Sequence, residues 1–275
     1  MTAAAFGMVL LAAVLHAGWN LLVKASDDRL VTGWSQAAFG ALVFSPVLVV
    51  TGVPWEAWES IAASSLIHTG YALALIGAYD RADLSLVYPV ARGTAPSVVA
   101  VGALILLSDN PGWIGFAAIA LIVSGVIAIG LGGHRPGIAW ALLTAAFIAT
   151  YTLVDGAAVR NLDAALPYTI SVFWGNTILF TPIVIARRGL PRIMATVRAA
   201  PMQNALAGAA SAGAYGLVLA AARFAPLGLV SAVRETSVIL GALGGWLLLG
   251  EPFGKRRVAA SVTIAAGLIL AAMSG

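Results

Sequence analysis

Arg92 and Arg234 each place a permanent positive charge inside a long apolar run, at matching positions in two copies of one segment. The first copy reads ARGTAPSVVAVGALILLSD from Ala91, and the second reads VRETSVILGALGGWLLLGE from Val233. A shift of 142 residues superposes Arg81 on Arg223, Arg92 on Arg234, Thr94 on Thr236, Gly102 on Gly244, Asp109 on Glu251 and Gly125 on Gly267. A charge within a bilayer is costly, so an intramembrane arginine is first read as part of a pathway or binding site. Two guanidinium forks offer paired hydrogen bonds to a carboxylate, phosphate or phosphonate. The structural alternative is that Arg234 is neutralised by a nearby acid and Arg92 bonds freed carbonyls.

Other polar residues in apolar surroundings extend this set. Glu235 adjoins Arg234, but helix neighbours diverge by about 100°, so the two need not pair. It can instead reach Arg92, carry a coupling proton or serve as a counter-ion. Asp155 follows Tyr151 by one helical turn and shares its face, as a proton or substrate-amine contact or as a solvated cap at the span end. His16 and Asn20 share a face of the first span beside Trp19, either lining a cavity or bridging helices. Thr94 and Thr236 are matched in the repeat and can bond a ligand or their own helix carbonyls. Tyr88, Trp174, Asn176 and Tyr215 are further candidate liners, whereas His68 and Tyr71 read better as helix packing.

The elements that must position these residues are membrane helices. Hydrophobic residues make up 61% of the 275 and charged residues only 9%, which is too little polar surface for a soluble globule. Apolar runs near the roughly 20 residues needed to cross the hydrocarbon recur along the whole chain. Ten spans are expected, at about 3–23, 30–52, 59–79, 84–107, 113–132, 137–158, 166–186, 202–222, 226–249 and 257–273. Continuous apolarity points to helices, since barrel strands alternate with period two. The polar connection over 187–201 reads as a surface loop. The first run extends to about residue 23 and carries Trp19 and Asn20, as suits a retained span better than a cleaved signal.

A repeat shift of about half the chain puts five spans in each half, residues 1–134 and 135–275. An odd number makes the second half enter the membrane from the opposite side, which gives an inverted repeat. The expected fold is therefore an all-α membrane protein, with two inverted five-helix repeats around a central cavity. Arg92 lies about eight residues into its span, roughly 12 Å at 1.5 Å per residue. Arg234 lies equally deep from the other face, so both fall near the midplane of a core about 30 Å thick. Pro89 and Pro96 flank Arg92, and proline frees carbonyls to face a cavity. The 30 glycines let helices approach closely and slide.

HAGWN at 16–20, RADLSLVYPVARGTAP at 81–96 and LLLGEP at 247–252 resemble the drug/metabolite transporter superfamily, in its ten-span EamA-like branch. The likeness covers essentially the whole chain in span number and repeat layout. It implies two five-helix inverted repeats and secondary transport of a small metabolite. HAGWN and the span-4 arginine are also similar to a subset associated with phosphonate utilisation. Two features depart from the pattern. SDN at 108–110 replaces the acidic motif closing span 4, with Asp109 in place of glutamate. Family members often have cytoplasmic termini, whereas the charges here point the other way.

Eleven of the 15 lysines and arginines fall in loops on one side: Lys24, Arg29, Arg81, Arg135, Arg187, Arg188, Arg192, Arg198, Lys255, Arg256 and Arg257. Only Arg160 and Arg223 fall on the other side. The positive-inside rule then places both termini outside the cytoplasm of a multi-pass protein of the cell (inner) membrane. Scattered loop charge with no basic stripe argues against nucleic acid as a partner. The expected partners are a small-molecule substrate and membrane lipid, with coupling to protons or a counter-substrate left open. No Walker-type loop supplies ATP hydrolysis, and neither HExxH nor GxSxG appears, so no enzyme and no cofactor are expected. The three histidines are dispersed and cysteine is absent, so no metal site is expected either. The leading function is alternating-access transport of a small anionic or zwitterionic metabolite. The alternative is efflux of amino acids or cationic drugs through Glu235 and Asp155.

Overall fold

The computed structural model describes residues 1–24, 26, 28–79, 81, 84–130, 138–162, 164–240 and 255–273. Among them are eleven α-helices, a further helical stretch at 237–240, one 3₁₀ turn and no strand. In chain order the helices are α1 (Ala3–Lys24), α2 (Arg29–Thr51), α3 (Trp58–Tyr79), α4 (Leu84–Leu107), α5 (Gly112–Gly130), α6 (Ile138–Arg160), α7 (Ala165–Arg188), α8 (Leu190–Ala199), α9 (Pro201–Ala222), α10 (Leu227–Arg234) and α11 (Lys255–Met273). Five apolar stretches among the described residues are long enough to cross a membrane: Arg29–Thr51, Trp55–Ala78, Ile138–Arg160, Ala165–Arg188 and Pro201–Ala222.

Local signals set the helix ends. Asp28 caps α2 by accepting from the Val31 amide, and Gly52 stops that helix at φ 79°. At the end of α4, Ser108 takes φ 53° and the Asp109 amide bonds back to the Ala103 carbonyl at 3.1 Å. This bond, reaching six residues back, closes the helix end and aims Asp109 at the next layer. Proline at the first position opens α9, where its missing donor costs nothing.

The outer surface is apolar, with Val49 and Val50 each 86% exposed and Ile105, Leu106 and Ile178 also outward. The interior is packed mainly by alanine, glycine and valine. That distribution suits a bundle in lipid, where small residues let helices meet closely. On α5, a Cβ at Gly125 would lie 2.6 Å from Ile264 Cγ1 and 2.9 Å from the Ala260 carbonyl. On α11, a Cβ at Gly267 would lie 2.6 Å from Ile122 Cγ1 and 3.0 Å from the Ala118 carbonyl. Helices α2 and α7 cross with the Trp34 indole donating to Thr181 Oγ1 at 2.8 Å and the Trp174 indole to Ser45 Oγ at 2.9 Å.

Two sequence expectations are corrected. The connection over 187–201 is not a plain loop, because α8 occupies most of it and buries Ile193 while presenting Arg192 and Arg198 outward. The run over 226–249 is not a continuous helix: α10 stops at Arg234, Glu235 and Thr236 form a turn, and helix resumes at 237–240.

Candidate functional site

The break in α10 builds the charged end of the site. Glu235 takes φ −69° and ψ −6°, and its amide turns back to the Ala232 carbonyl. The Thr236 and Val238 amides likewise bond three residues back, to Val233 and Glu235. This tightening draws the Glu235 side chain toward its neighbour, so Glu235 Oε1 comes to 3.5 Å from Arg234 Nε. Gly228 lets α10 press against α4, where a Cβ at Gly228 would meet Ala100 Cβ at 2.6 Å. Across that contact Arg92 Nε lies 2.9 Å from Glu235 Oε2. One carboxylate thus serves two arginines from helices far apart in sequence.

All three groups are deep, with Arg92 2%, Arg234 4% and Glu235 0% exposed. Arg92 also donates to His16 Nε2 at 2.8 Å. Arginine has no acceptor, so His16 accepts through Nε2 and carries its proton on Nδ1. Beyond its 3.5 Å contact with Glu235, Arg234 meets no hydrogen-bond acceptor through Nε or Nη2 among the described residues. The buried Trp19 indole N–H is in the same position, and its ring meets His16 edge-on at 4.9 Å. Two positive charges share one negative charge in a low-dielectric interior, which leaves a net positive charge beside unsaturated donors. Burying such groups is costly unless an acceptor arrives to satisfy them.

These groups open on a cavity of about 160 Å³. Its walls come from α1, α2, α3, α4, α6, α7, α9 and α10. His16, Trp19, Arg92 and Arg234 line one part. An aromatic group lines another: the His68 ring stacks on Tyr151 at 4.1 Å, and Tyr71 and Tyr215 meet Tyr151 edge-on, each at 5.8 Å. Asp155 sits behind these rings, fully buried. It accepts from the Tyr168 hydroxyl at 2.6 Å through Oδ1 and from the Tyr215 hydroxyl through Oδ2. The reading of Asp155 as a solvated cap is therefore corrected: tyrosines on α7 and α9 enclose it. Arg29, Gly33 and Gln36 of α2 carry the lining toward one end of the bundle. At the other end Asp109 Oδ2 accepts from Arg160 at 2.8 Å and from the Leu227 amide at 2.6 Å, tying α4 and α6 to the start of α10.

Of the residues singled out in the sequence, Arg92, Arg234, His16, Trp19 and Tyr151 line the cavity. Glu235 and Asp155 stand one layer behind and bond to the lining groups. Thr236 turns to its own backbone, donating to the Val233 carbonyl at 2.9 Å. Thr94 is half-buried in α4 and is not among the lining residues. Asn20 and Tyr88 belong to α1 and α4, but their side chains lie outside the described residues, as do His134 and Glu251. His68, Tyr71 and Tyr215 are full members of the wall. His68 and Tyr71 do both things, packing on Tyr151 across helices as expected and also facing the cavity. Asn176 also lines the cavity and accepts from Thr69 at 2.9 Å, whereas Trp174 is spent on Ser45.

A multi-pass helical membrane protein with a buried, charged and aromatic cavity is the class that fold and site define. A family model described as EamA-like transporter family matches residues 135–273, slightly more than half of the chain. The chain belongs to that family of small-molecule membrane transporters. No curated protein matches it. One solved structure, described simply as "Crystal structure of protein", superposes with a TM-score of 0.72 at 16% identity, covering 99% of this chain and 96% of the other. At that identity the likeness speaks for the fold alone.

Proposed function

We propose that the protein is a secondary transporter of a small anionic or zwitterionic metabolite, working across the cytoplasmic membrane by alternating access. The carrying observation is that Arg92 and Arg234, from segments related by a 142-residue shift, share Glu235 and line one cavity. Substrate sites of inverted-repeat transporters sit at such a junction near mid-membrane.

The moving parts are two inverted five-helix repeats, 1–134 and 135–275. Several contacts support this. The same shift of 142 carries Gly125, Ile122 and Ala118 of α5 onto Gly267, Ile264 and Ala260 of α11, so the two glycine contacts are reciprocal. The indole bonds exchanged between α2 and α7 are also reciprocal, each ending on a hydroxyl just before Pro46 or Pro182, though at offsets of 140 residues for the tryptophans and 136 for the hydroxyls. Nine of the ten expected spans coincide with described helices to within two residues at each end. The family match begins at residue 135, where the second repeat is placed.

In this reading Arg92, Arg234, His16, Trp19, Asn20, Tyr88, Tyr151, Thr94 and Thr236 form the substrate surroundings, with Glu235 and Asp155 as charge partners. The cavity faces the Arg29 end, and the Arg160–Asp109 pair holds the opposite end shut. Charge bias puts the Arg29 end in the cytoplasm and both termini outside. Coupling runs through protons or a counter-substrate. The acid-based alternative, efflux of amino acids or cationic drugs, draws on the burial of Asp155 beside the cavity.

A panel of amino acids, phosphonates, sugar phosphates and dicarboxylates, read by thermal stabilisation of the purified protein, tests the proposal. A true ligand at 100 times its Kd adds about 2.7 kcal/mol. Arg92→Gln and Arg234→Gln are expected to abolish that gain and the matching uptake into proteoliposomes. Full activity in the double variant overturns the anion site.

A further inference from the structure

The cavity has a second pole that an anion alone leaves unused. Asp155 is fully buried, and both of its oxygens accept phenolic protons, from Tyr168 and Tyr215. Each oxygen thus has a donor within reach, the arrangement that an ionised carboxylate at Asp155 requires. Tyr215 passes this negative charge to the cavity wall, where its ring adjoins His68 at 5.3 Å and Tyr151 at 5.8 Å. His68 Nδ1 lies 3.0 Å from the Ser64 carbonyl, so it donates there and carries its proton on Nδ1. Clustered π-faces backed by a carboxylate attract a cation, and the attraction grows when the site is dry.

Among the described residues, the buried charges around the cavity are Arg92 and Arg234 on one side, against Glu235 and Asp155 on the other. With Asp155 ionised they sum to zero but are separated. The arginine pole holds one excess positive charge, and the aromatic pole holds one excess negative charge. A bare anion would satisfy the first and leave the second uncompensated; a bare cation would do the reverse. Both poles lie on one cavity, so one small molecule can meet both at once.

We infer that the substrate is a small zwitterion, with its carboxylate or phosphate at Arg92 and Arg234 and its ammonium against Tyr151, Tyr215 and His68 above Asp155. This rests on the transport reading and narrows it. A net-neutral substrate enters the membrane interior with its own charges already matched to those of the protein.

The test uses the purified full-length protein and matched probe pairs: β-alanine, 4-aminobutanoate, 5-aminopentanoate and 2-aminoethyl phosphate, against propanoate, butanoate, pentanoate and ethyl phosphate. Dissociation constants come from ligand-dependent shifts in the unfolding midpoint. At least one amine-bearing probe is expected to bind about tenfold or more tightly than its partner, and the best chain length reports the span between poles. Asp155→Asn keeps an acceptor for a tyrosine hydroxyl but removes the charge. Tyr151→Leu removes a ring while leaving the Asp155 bonds intact. Each is expected to bring the ratio of affinities within a pair, amine-bearing over amine-free, down to about one, whatever it does to the affinities themselves. Equal affinity within every pair, or a preference that survives both variants, overturns the inference. If amine-free anions bind and Arg234→Gln abolishes that binding, the arginine site stands even as the zwitterion falls. If no probe of either series binds, and inorganic phosphate is also inert, both readings fall together.

Discussion

Two seams join segments related by the same 142-residue shift, and they are built in opposite ways. Where α5 meets α11, Gly125 and Gly267 bring side chains onto bare backbone, and the atoms that crowd them are apolar side chains and backbone. Where α4 meets α10, Gly228 on Ala100 gives an equally close approach at one point, but the helix then breaks and three charged groups face one another. Dispersion between close-packed surfaces is lost steeply with separation, so the first seam resists opening. The second exchanges packing for charges and a cavity that a ligand can complete. One seam is suited to hold the bundle together and the other to respond to what enters it.

The charged seam is expected to be the more sensitive. Arg92→Gln leaves Glu235 with a single arginine at 3.5 Å, and breaking a buried pair costs about 3–5 kcal/mol. Thermal unfolding in detergent should show that loss together with loss of anion binding. The comparison is inverted if Arg92→Gln matches the parent in both. The glycine seam should respond in stability alone. Gly267→Val, which drives methyl groups into Ile122 and the Ala118 carbonyl, is expected to cost about 1–3 kcal/mol by overpacking. Ligand affinity in whatever protein remains folded should equal that of the parent; a weakened affinity would show that the two seams are coupled.

A smaller effect is expected where α10 begins. Asp109→Ala removes both the cap on the Leu227 amide and the partner of Arg160, for about 1–2 kcal/mol. The chain has no cysteine, so a single Leu162→Cys probe at that end can report opening by its labelling rate. Labelling is expected to speed up in the Asp109→Ala background, and an unchanged rate would remove this contact from the closing of that end. The least costly change is Trp174→Phe, which forfeits one hydrogen bond to Ser45, worth about 0.5–1.5 kcal/mol. Its effect on the unfolding midpoint should be the smallest of the four.

The helix ranges were largely legible because a span needs only length and continuous apolarity, both local properties. Helices α2, α3, α6, α7 and α9 fall where the apolar runs predict them. Helix α8 escaped because PRIMATVRA carries arginines and a proline within a short stretch. Its helical period serves the surface of the bundle rather than its interior. The break after Arg234 escaped for a different reason: VRETSVIL contains neither proline nor glycine, and every residue in it can continue a helix. The turn exists because Glu235 has two arginines to meet, and one of them lies on α4.

The arginines show the same division. Their intramembrane position and repeat match are written in the chain, since the cost of a buried charge and the spacing of a repeat require no coordinates. The pairing of Glu235 with Arg92 stood as one reading among several until α4 and α10 were seen pressed together at Gly228. Asp155 shows the limit most sharply. Its place in the span leaves a proton or amine contact and a solvated cap both open, and Tyr168 and Tyr215, reaching it from two other helices, bury it and remove the cap. Periodicity places a side chain on a face of its own helix. Which group meets it there depends on helices distant in sequence, and only their packing decides that.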